Sequence, residues 1–349
     1  MKFLLYGAYG YTGSLIIEMA KDYGLTPILT GRNEAKLIPW AEKTSYEYMA
    51  FSLDDNDALD KALSQVDVVL HAAGPFKYTA KPMMEACIRN KVHYLDITGE
   101  IETFELGHSF DQQAKKANIM VMPGVGFDVV PTDCMAAYLK AHMQDATHLQ
   151  LAFANIGGAM SHGTSLTMVE SLGEKGAKRK DGKIVPVPIG HAGMMVPFMA
   201  KDYYCMAIPW GDVSTAYYTT GIPNVETFTR TKPETHRMVK FQGAFSWLLR
   251  SSLVKNYMKK QIEARPAGPN PEKRAKASSH IWGKVWNEKG EEKQARMVTP
   301  EGYTLTAITS LMITKKVLEG NWKAGHLTPA GMYGADLIME VDGVERENI

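Results

Sequence analysis

The chain has 349 residues, with 39 Lys and Arg against 38 Asp and Glu, and 45% of it is hydrophobic. That is enough chain for two domains, and a formal net charge of +1 gives no global field that would argue for nucleic acid or a membrane as partner. Cys87, Cys134 and Cys205 form no close-spaced pair, so neither a disulfide framework nor a metal site is indicated and a reducing, cytoplasmic setting is expected.

Met1 leads directly into an apolar run, so no signal peptide is expected. The longest apolar stretch free of Asp, Glu, Lys and Arg, 184–200, contains Pro186, Pro188 and Pro197, which argues against a spanning helix. Charge is uneven along the chain. Residues 1–150 carry 13 basic and 19 acidic side chains, and the basic excess concentrates in 250–276, where eight positive residues meet only Glu263 and Glu272.

The first predicted strand, 2–6, runs into Gly7-Ala8-Tyr9-Gly10-Tyr11-Thr12-Gly13 and then a helical pattern over 12–23. A strand, a glycine turn and a helix aim backbone N–H groups and the positive end of a helix dipole at one point, where a diphosphate can sit. The spacing is G-x-x-G-x-x-G rather than G-x-G-x-x-G, so the turn alone is also readable as a tight turn. Further strands are expected at 26–30, 46–51, 66–70, 92–96 and 118–122, with helices at 33–43, 55–64, 79–90 and 101–117. This alternation predicts an α/β, Rossmann-like parallel sheet, whose ligands bind at the carboxyl ends of the strands.

Those ends carry the informative residues. After the second strand stand Arg32 and Asn33, with no acid before Glu34, where a carboxylate would bond a ribose 2′-hydroxyl; Arg suits a 2′-phosphate, so NADP is expected ahead of NAD. After the fourth come His71, Ala72, Ala73, Gly74, Pro75 and Phe76, small enough at their centre for close backbone approach to a ligand. After the fifth come Tyr94, Asp96, Thr98, Gly99 and Glu100: the acids could hold a substrate amine or shuttle a proton, and Thr98 and Glu100 equally suit helix capping. After the sixth come Asp128 and Asp133, the latter read as a structural cap.

G-x-x-G-x-x-G, Gly-Arg, A-x-G-P-F, Y-x-D-x-x-G-E and G-F-D-x-x-P-x-D, in this order, resemble the saccharopine dehydrogenase-like oxidoreductases, including their trans-acting enoyl reductase members. The resemblance covers 1–135 and continues more thinly through 157–165. It implies a Rossmann-like domain, a nicotinamide cofactor and a second α+β domain. It maps Tyr11, Thr12, Arg32 and Ala72 to Phe76 onto cofactor contacts. Where the family often ends its third strand with Asp, this chain reads Phe51-Ser52-Leu53-Asp54, which leaves Leu53 as the apolar neighbour of an adenine.

The expected division is 1–145 for the nucleotide-binding domain, 146–330 for an α+β substrate and dimerisation domain, and 331–349 as a C-terminal segment returning to the first. Within the second, 149–154 reads as a strand, a helix starts after Ser161 or Thr164 and runs to Leu172, and 173–183 is a charged loop. The segment 184–224, rich in Pro, Met and aromatics, reads as core ahead of a lid. A hairpin is expected over 280–288 and 291–299, then a helix through about Glu319. The apolar run 241–262, with Trp247, Leu248, Val254 and Met258, reads as a core or homodimer-interface helix ahead of a membrane-surface one.

These readings predict an NADP-dependent oxidoreductase that moves a hydride to or from a C=N, C=O or C=C small-molecule substrate, with His162, Asp96 and Tyr94, then His191, as proton-donor candidates. The alternative is a catalytically silent NADP-binding sensor or scaffold. A short-chain dehydrogenase needs Tyr with Lys four residues later, and none of the 16 tyrosines has it. The basic run at 250–276 lacks any nucleic-acid-binding module.

Overall fold

The computed structural model describes residues 1–241 and 246–349. The chain divides into two compact units, Met1–Val130 with Tyr303–Met332, and Pro131–Gly302 with Tyr333–Ile349. The first unit therefore ends before the expected boundary at 145. The segment 333–349, expected to return to the first domain, belongs to the second unit instead.

In the first unit, strands and helices alternate: β1 (Lys2–Tyr6), α1 (Tyr11–Ala20), β2 (Thr26–Gly31), α2 (Glu34–Thr44), β3 (Tyr48–Ala50), α3 (Asn56–Leu63), β4 (Val68–His71), α4 (Phe76–Asn90), β5 (His93–Asp96), α5 (Ile101–Ser109), α6 (Asp111–Ala117) and β6 (Met120–Met122). The helix expected over 101–117 is thus two helices that meet at Phe110. All strands pair in parallel, in the order β6-β5-β4-β1-β2-β3, and Gly325–His326 extends the sheet beyond β6. Their side chains are buried on both faces for most of β1, β2, β4 and β5, as parallel strands covered by helices require. The strand order reverses between β1 and β4, and that switch point is where a doubly wound sheet opens a crevice.

The second unit holds β7 (His148–Ile156), β8 (Gly176–Lys180), β9 (Lys183–Val187), β10 (Gly193–Pro197), β11 (Asp202–Ile208), β12 (Asn224–Arg230), β13 (Ser278–Trp286) and β14 (Glu292–Pro300), with Glu345–Asn348 at its edge, in one mixed sheet. The expected hairpin is β13 and β14, paired antiparallel from Ser278↔Pro300 to Trp286↔Glu292. The expected loop over 173–183 is instead mostly hairpin. β8 and β9 pair through Asp181 and Gly182, both at positive φ, the geometry of a two-residue primed turn. The 184–224 segment is sheet and core: Val196, Phe198, Cys205 and Ala207 are buried together with Ala152, Ala154, Phe228 and Trp282. Among the described residues, no helix is long and apolar enough to cross a membrane. Within the apolar run 241–262, residues 242–245 lie outside the described residues, as does the side chain of Leu248.

Candidate functional site

The carboxyl edge of the first sheet is built around the glycine turn. Gly7 sits at φ +93°, and a Cβ there would lie 2.8 Å from the backbone of Ala72 and Ala73. The loops after β1 and β4 therefore touch backbone to backbone at the switch point, and only glycine allows it. Gly13 faces the carbonyl oxygens of Gly7 and Ala8, the latter 2.7 Å from where a Cβ would stand, so α1 packs directly onto the turn. Gly10 N–H donates to the Gly7 carbonyl at 2.9 Å and Gly10 caps α1 without a side chain. The first turn of α1, with Tyr11 and Thr12 partly exposed, thus presents backbone rather than a capping group to the crevice. This cradle fits the diphosphate of a dinucleotide.

One edge of the cradle is basic. Arg32 follows β2 directly, is exposed, and forms no ion pair among the described residues. Asn33, expected beside it as a ligand contact, is the N-cap of α2: its Oδ1 accepts from Lys36 N–H at 3.3 Å. Tyr9 covers Gly31, and the Lys36 ammonium lies 5.6 Å from its ring centroid. Leu53 and Phe76 are buried in the apolar core with Leu4, Tyr6 and Met83. The two residues expected to touch the cofactor support the β3 and β4 loops from inside instead of lining them. Ala72, Ala73, Gly74 and Pro75 remain at least partly exposed along the edge.

The polar residues at the ends of β4 and β5 form one interior network. The Tyr94 hydroxyl donates to Asp96 Oδ2 at 2.7 Å and lies 3.3 Å from His71 Nδ1. Asp96 Oδ1 accepts the N–H groups of Thr98 and Gly124, both at 2.9 Å, and its own carbonyl accepts from Val125 at 2.7 Å. His71, Tyr94 and Asp96 are fully buried. Burial pushes the His71 ring down to about 3, the Asp96 carboxyl up to about 7, and the Tyr94 phenol well above its ordinary range. Tyr94 and Asp96 were expected at the reacting centre; they are closed off inside the sheet, where they tie the β4, β5 and β6 ends together. Glu100 is a cap, but of a different helix from the one expected. Its carboxylate accepts the N–H groups of Phe76 at 2.9 Å and Lys77 at 2.7 Å, which satisfies the start of α4.

The carboxylate that sequence reasoning passed over is Asp128. It lies in the loop after β6, against Gly99 in the loop after β5, where a Cβ would come within 3.0 Å of Asp128 Oδ2. Its Oδ1 has no hydrogen-bond partner among the described residues, and burial pushes the carboxyl up to about 7. The helix Gly302–Leu318 holds this loop in place. Thr306 Oγ1 accepts from Phe127 N–H at 3.0 Å, and the Thr309 hydroxyl donates to the Val125 carbonyl at 2.8 Å. The same helix brings Tyr303 edge-on to Tyr11, with ring centroids 5.0 Å apart. No local signal marks Tyr303 or Thr306, since each meets residues at least 179 positions away.

The remaining proton-donor candidates lie in the second unit. The His162 ring bonds the Arg265 carbonyl at 2.7 Å, and its backbone N–H donates to the Ala267 carbonyl at 2.9 Å. Its role there is to pin the 265–267 segment to the start of helix His162–Glu170. His191 Nε2 is 2.8 Å from Glu226, which also meets Lys178 and Gln150.

Comparison with known proteins agrees with this geometry. Residues 3–122 match the family model of the saccharopine dehydrogenase NADP binding domain. The saccharopine dehydrogenase-like oxidoreductase of Mus musculus is 27% identical over 214 residues, covering 53% of this chain and 50% of its own length. A lipid droplet localized protein of Caenorhabditis elegans is 27% identical over 219 residues, 56% of this chain and 51% of its own. The chain thus spans about half the length of the curated relatives it matches. Among solved structures, apo saccharopine dehydrogenase (L-Glu forming) from Saccharomyces cerevisiae has the same fold, with a TM-score of 0.67 over 100% of this chain and 99% of that one, at 14% identity. Residues 3–122 therefore resemble a saccharopine dehydrogenase NADP binding domain, and over about half its length the chain is similar to saccharopine dehydrogenase-like oxidoreductases.

Proposed function

We propose that the chain is an NADP-dependent oxidoreductase acting on a C=N, C=O or C=C bond of a small molecule. The observation that carries this reading is the pairing of the Gly7 cradle at the switch point with the exposed Arg32 at the end of β2, which has no ion-pair partner among the described residues. A guanidinium in that place matches a 2′-phosphate with parallel N–H donors, where a carboxylate would repel it. Gly7, Gly10, Tyr11, Thr12 and Gly13 would hold the diphosphate, and Ala72 to Pro75 would border the ribose. When bound, the nicotinamide supplies or accepts the hydride.

Reducing a double bond also requires one proton at the atom that does not receive the hydride. Asp128 supports that task better than His162, Asp96 or Tyr94. A carboxyl with its pKa near 7 can give and take a proton at neutral pH, and its Oδ1 is not committed to another group among the described residues. Gly99 leaves room for it above the β5 loop, and the helix Gly302–Leu318 fixes its backbone.

The test is a titration with NADPH and NADH, followed by NADPH consumption over panels of imines, ketones and enoyl thioesters. Tighter NADPH binding that Arg32→Glu reverses supports the cofactor reading. Turnover on one panel that Asp128→Asn abolishes, with NADPH binding intact, supports the chemistry. Binding without turnover on every panel overturns the enzyme reading and favours a sensor.

A further inference from the structure

The second unit carries a helix with apolar side chains on two faces: Val254, Met258 and the buried Ile262 turn inward at i, i+4 and i+8, and a second pair turns outward. Ser252–Glu263 packs against helix His162–Glu170 through its lysines: the Lys259 ammonium lies 2.5 Å from Glu170 Oε1, and the Lys255 ammonium donates to the Glu170 carbonyl at 2.5 Å. Lys255 keeps only 17% of its side chain exposed, while Leu253 is 82% and Tyr257 66% exposed. An amphipathic surface helix ordinarily turns its apolar stripe inward and its charges out. Here Leu253 and Tyr257, four residues apart and on one face, point away from the protein with Lys260 one turn further on. Val254 and Met258, the residues a sequence reading assigns to the outward apolar face, lie partly buried.

The flanking elements repeat the pattern. Helix Pro233–Phe241 exposes Met238 and Phe241 beside Arg237 and Lys240, and Trp247 is exposed in Ser246–Leu249. Single exposed apolar residues are ordinary; five large ones within twenty residues of chain are not. The charge of the segment selects the occupant. Between Glu234 and Glu263 there are six Lys or Arg and no Asp or Glu; Lys255 and Lys259 turn in to Glu170 and Arg250 bonds the Gly173 carbonyl, which leaves Arg237, Lys240 and Lys260 exposed beside the apolar side chains. A second copy docking the same patch by two-fold symmetry would set these cations against one another. An anionic lipid surface meets both properties, since aromatic and aliphatic side chains enter the acyl boundary while Lys and Arg stay at the headgroups.

We propose that the exposed side chains of residues 237–241 and 247–260 form an interfacial patch that docks the protein onto anionic lipid. The experiment is co-sedimentation of the full chain with phosphatidylcholine vesicles, with and without phosphatidylserine, at low and high salt, alongside its mass in solution by light scattering. Expected are binding that needs phosphatidylserine and weakens with salt, a loss of about tenfold in Leu253→Glu, where one exposed apolar contact becomes a repelled charge, and about fivefold per cation in Lys240→Gln and Lys260→Gln. Leu253 is exposed enough that the variant should fold, and unchanged NADPH binding checks that it does. Equal sedimentation with both vesicle types, or vesicle binding that Leu253→Glu leaves intact, overturns the proposal. So does a dimer that Leu253→Glu dissociates without any vesicle binding by the parent chain, which would assign the patch to a second copy.

Discussion

Replacing Asp128 by Asn should make the protein more stable at pH 8 and leave it almost unchanged at pH 4. The folded protein raises this carboxyl from its ordinary 3.8 to about 7, because burial penalises the charged form. The native state therefore holds a proton that the unfolded chain has already released. Stability must fall as pH rises from about 4 to about 7, and the loss is complete above the folded value. At about 1.4 kcal/mol for each pH unit of displacement, reduced for partial contact with water, the ionised carboxylate costs about 2–4 kcal/mol at pH 8. Asn resembles the neutral acid in shape and cannot ionise, so it removes that cost and nothing else. Asp96 titrates in the same direction, up to about 7, but it is common to both proteins and cancels in the difference.

The assay is unfolding of parent and variant across pH 4 to 8, read at the transition that NADPH shifts. For a unit of this size, 2–4 kcal/mol corresponds to roughly 4–16 °C in Tm. A difference that does not depend on pH, or a variant less stable at pH 8 than the parent, would refute the reasoning. A stabilised variant that has also lost turnover would show a carboxylate kept against the fold's own interest, which is the signature of a group retained for the reaction.

Four further outcomes follow from the geometry. Gly13→Ala gains about 1 kcal/mol of helix propensity but drives a Cβ into the Gly7 and Ala8 carbonyls, at a cost of about 1–3 kcal/mol; a lower Tm and weakened NADPH binding are expected, while Gly158→Ala, with nothing within 4 Å, should change neither. Arg32→Glu should weaken NADPH binding at least tenfold and leave NADH little changed, as isothermal titration would show. Glu100→Ala exposes the Phe76 and Lys77 amides at the start of α4 and should cost about 1–2 kcal/mol in denaturant unfolding, with Glu100→Gln intermediate. His162→Ala should leave kcat for any substrate found within about twofold and instead raise proteolysis near Arg265, since the ring bonds that carbonyl.

The first unit was legible because each of its strands is an apolar run and each helix a periodic one, closed by turn residues: Lys2–Tyr6, Thr26–Gly31 and Val68–His71 all lie within two residues of where the pattern put them. The unit boundary was not, because the helix Gly302–Leu318 joins the first unit through Thr306 and Thr309, whose partners at Phe127 and Val125 are about 180 positions earlier. Neither threonine carries a local sign of that contact. The β8 and β9 hairpin was hidden by its lysines, which read as a loop although Asp181-Gly182 is a primed-turn pair. In the site, the glycines were readable because their requirement is steric and falls on one residue. Tyr94 and Asp96 were misread because a polar residue at a strand end lines a cleft or closes a core according to what covers it. Here the cover is the Gly124 and Val125 backbone, contributed by the next strand's loop.

The two acids at the ends of β5 and β6 show how that distinction decides function. Burial lifts both carboxyls to about 7, so titration alone does not separate them. Their hydrogen bonds do. Asp96 is met by the Tyr94 hydroxyl and by the amides of Thr98 and Gly124, so a change in its charge disturbs β5 and the loops after β5 and β6 at once. Asp128 carries an oxygen that no described group occupies, beside a glycine that gives it room. A carboxyl satisfied on every side is a fastener, and one raised in pKa but left a vacant oxygen can exchange its proton without unfastening anything. The fold spends its hydrogen bonds on Asp96 and withholds them from Asp128 among the described residues, and that asymmetry, more than either pKa, is why the proton is proposed for residue 128.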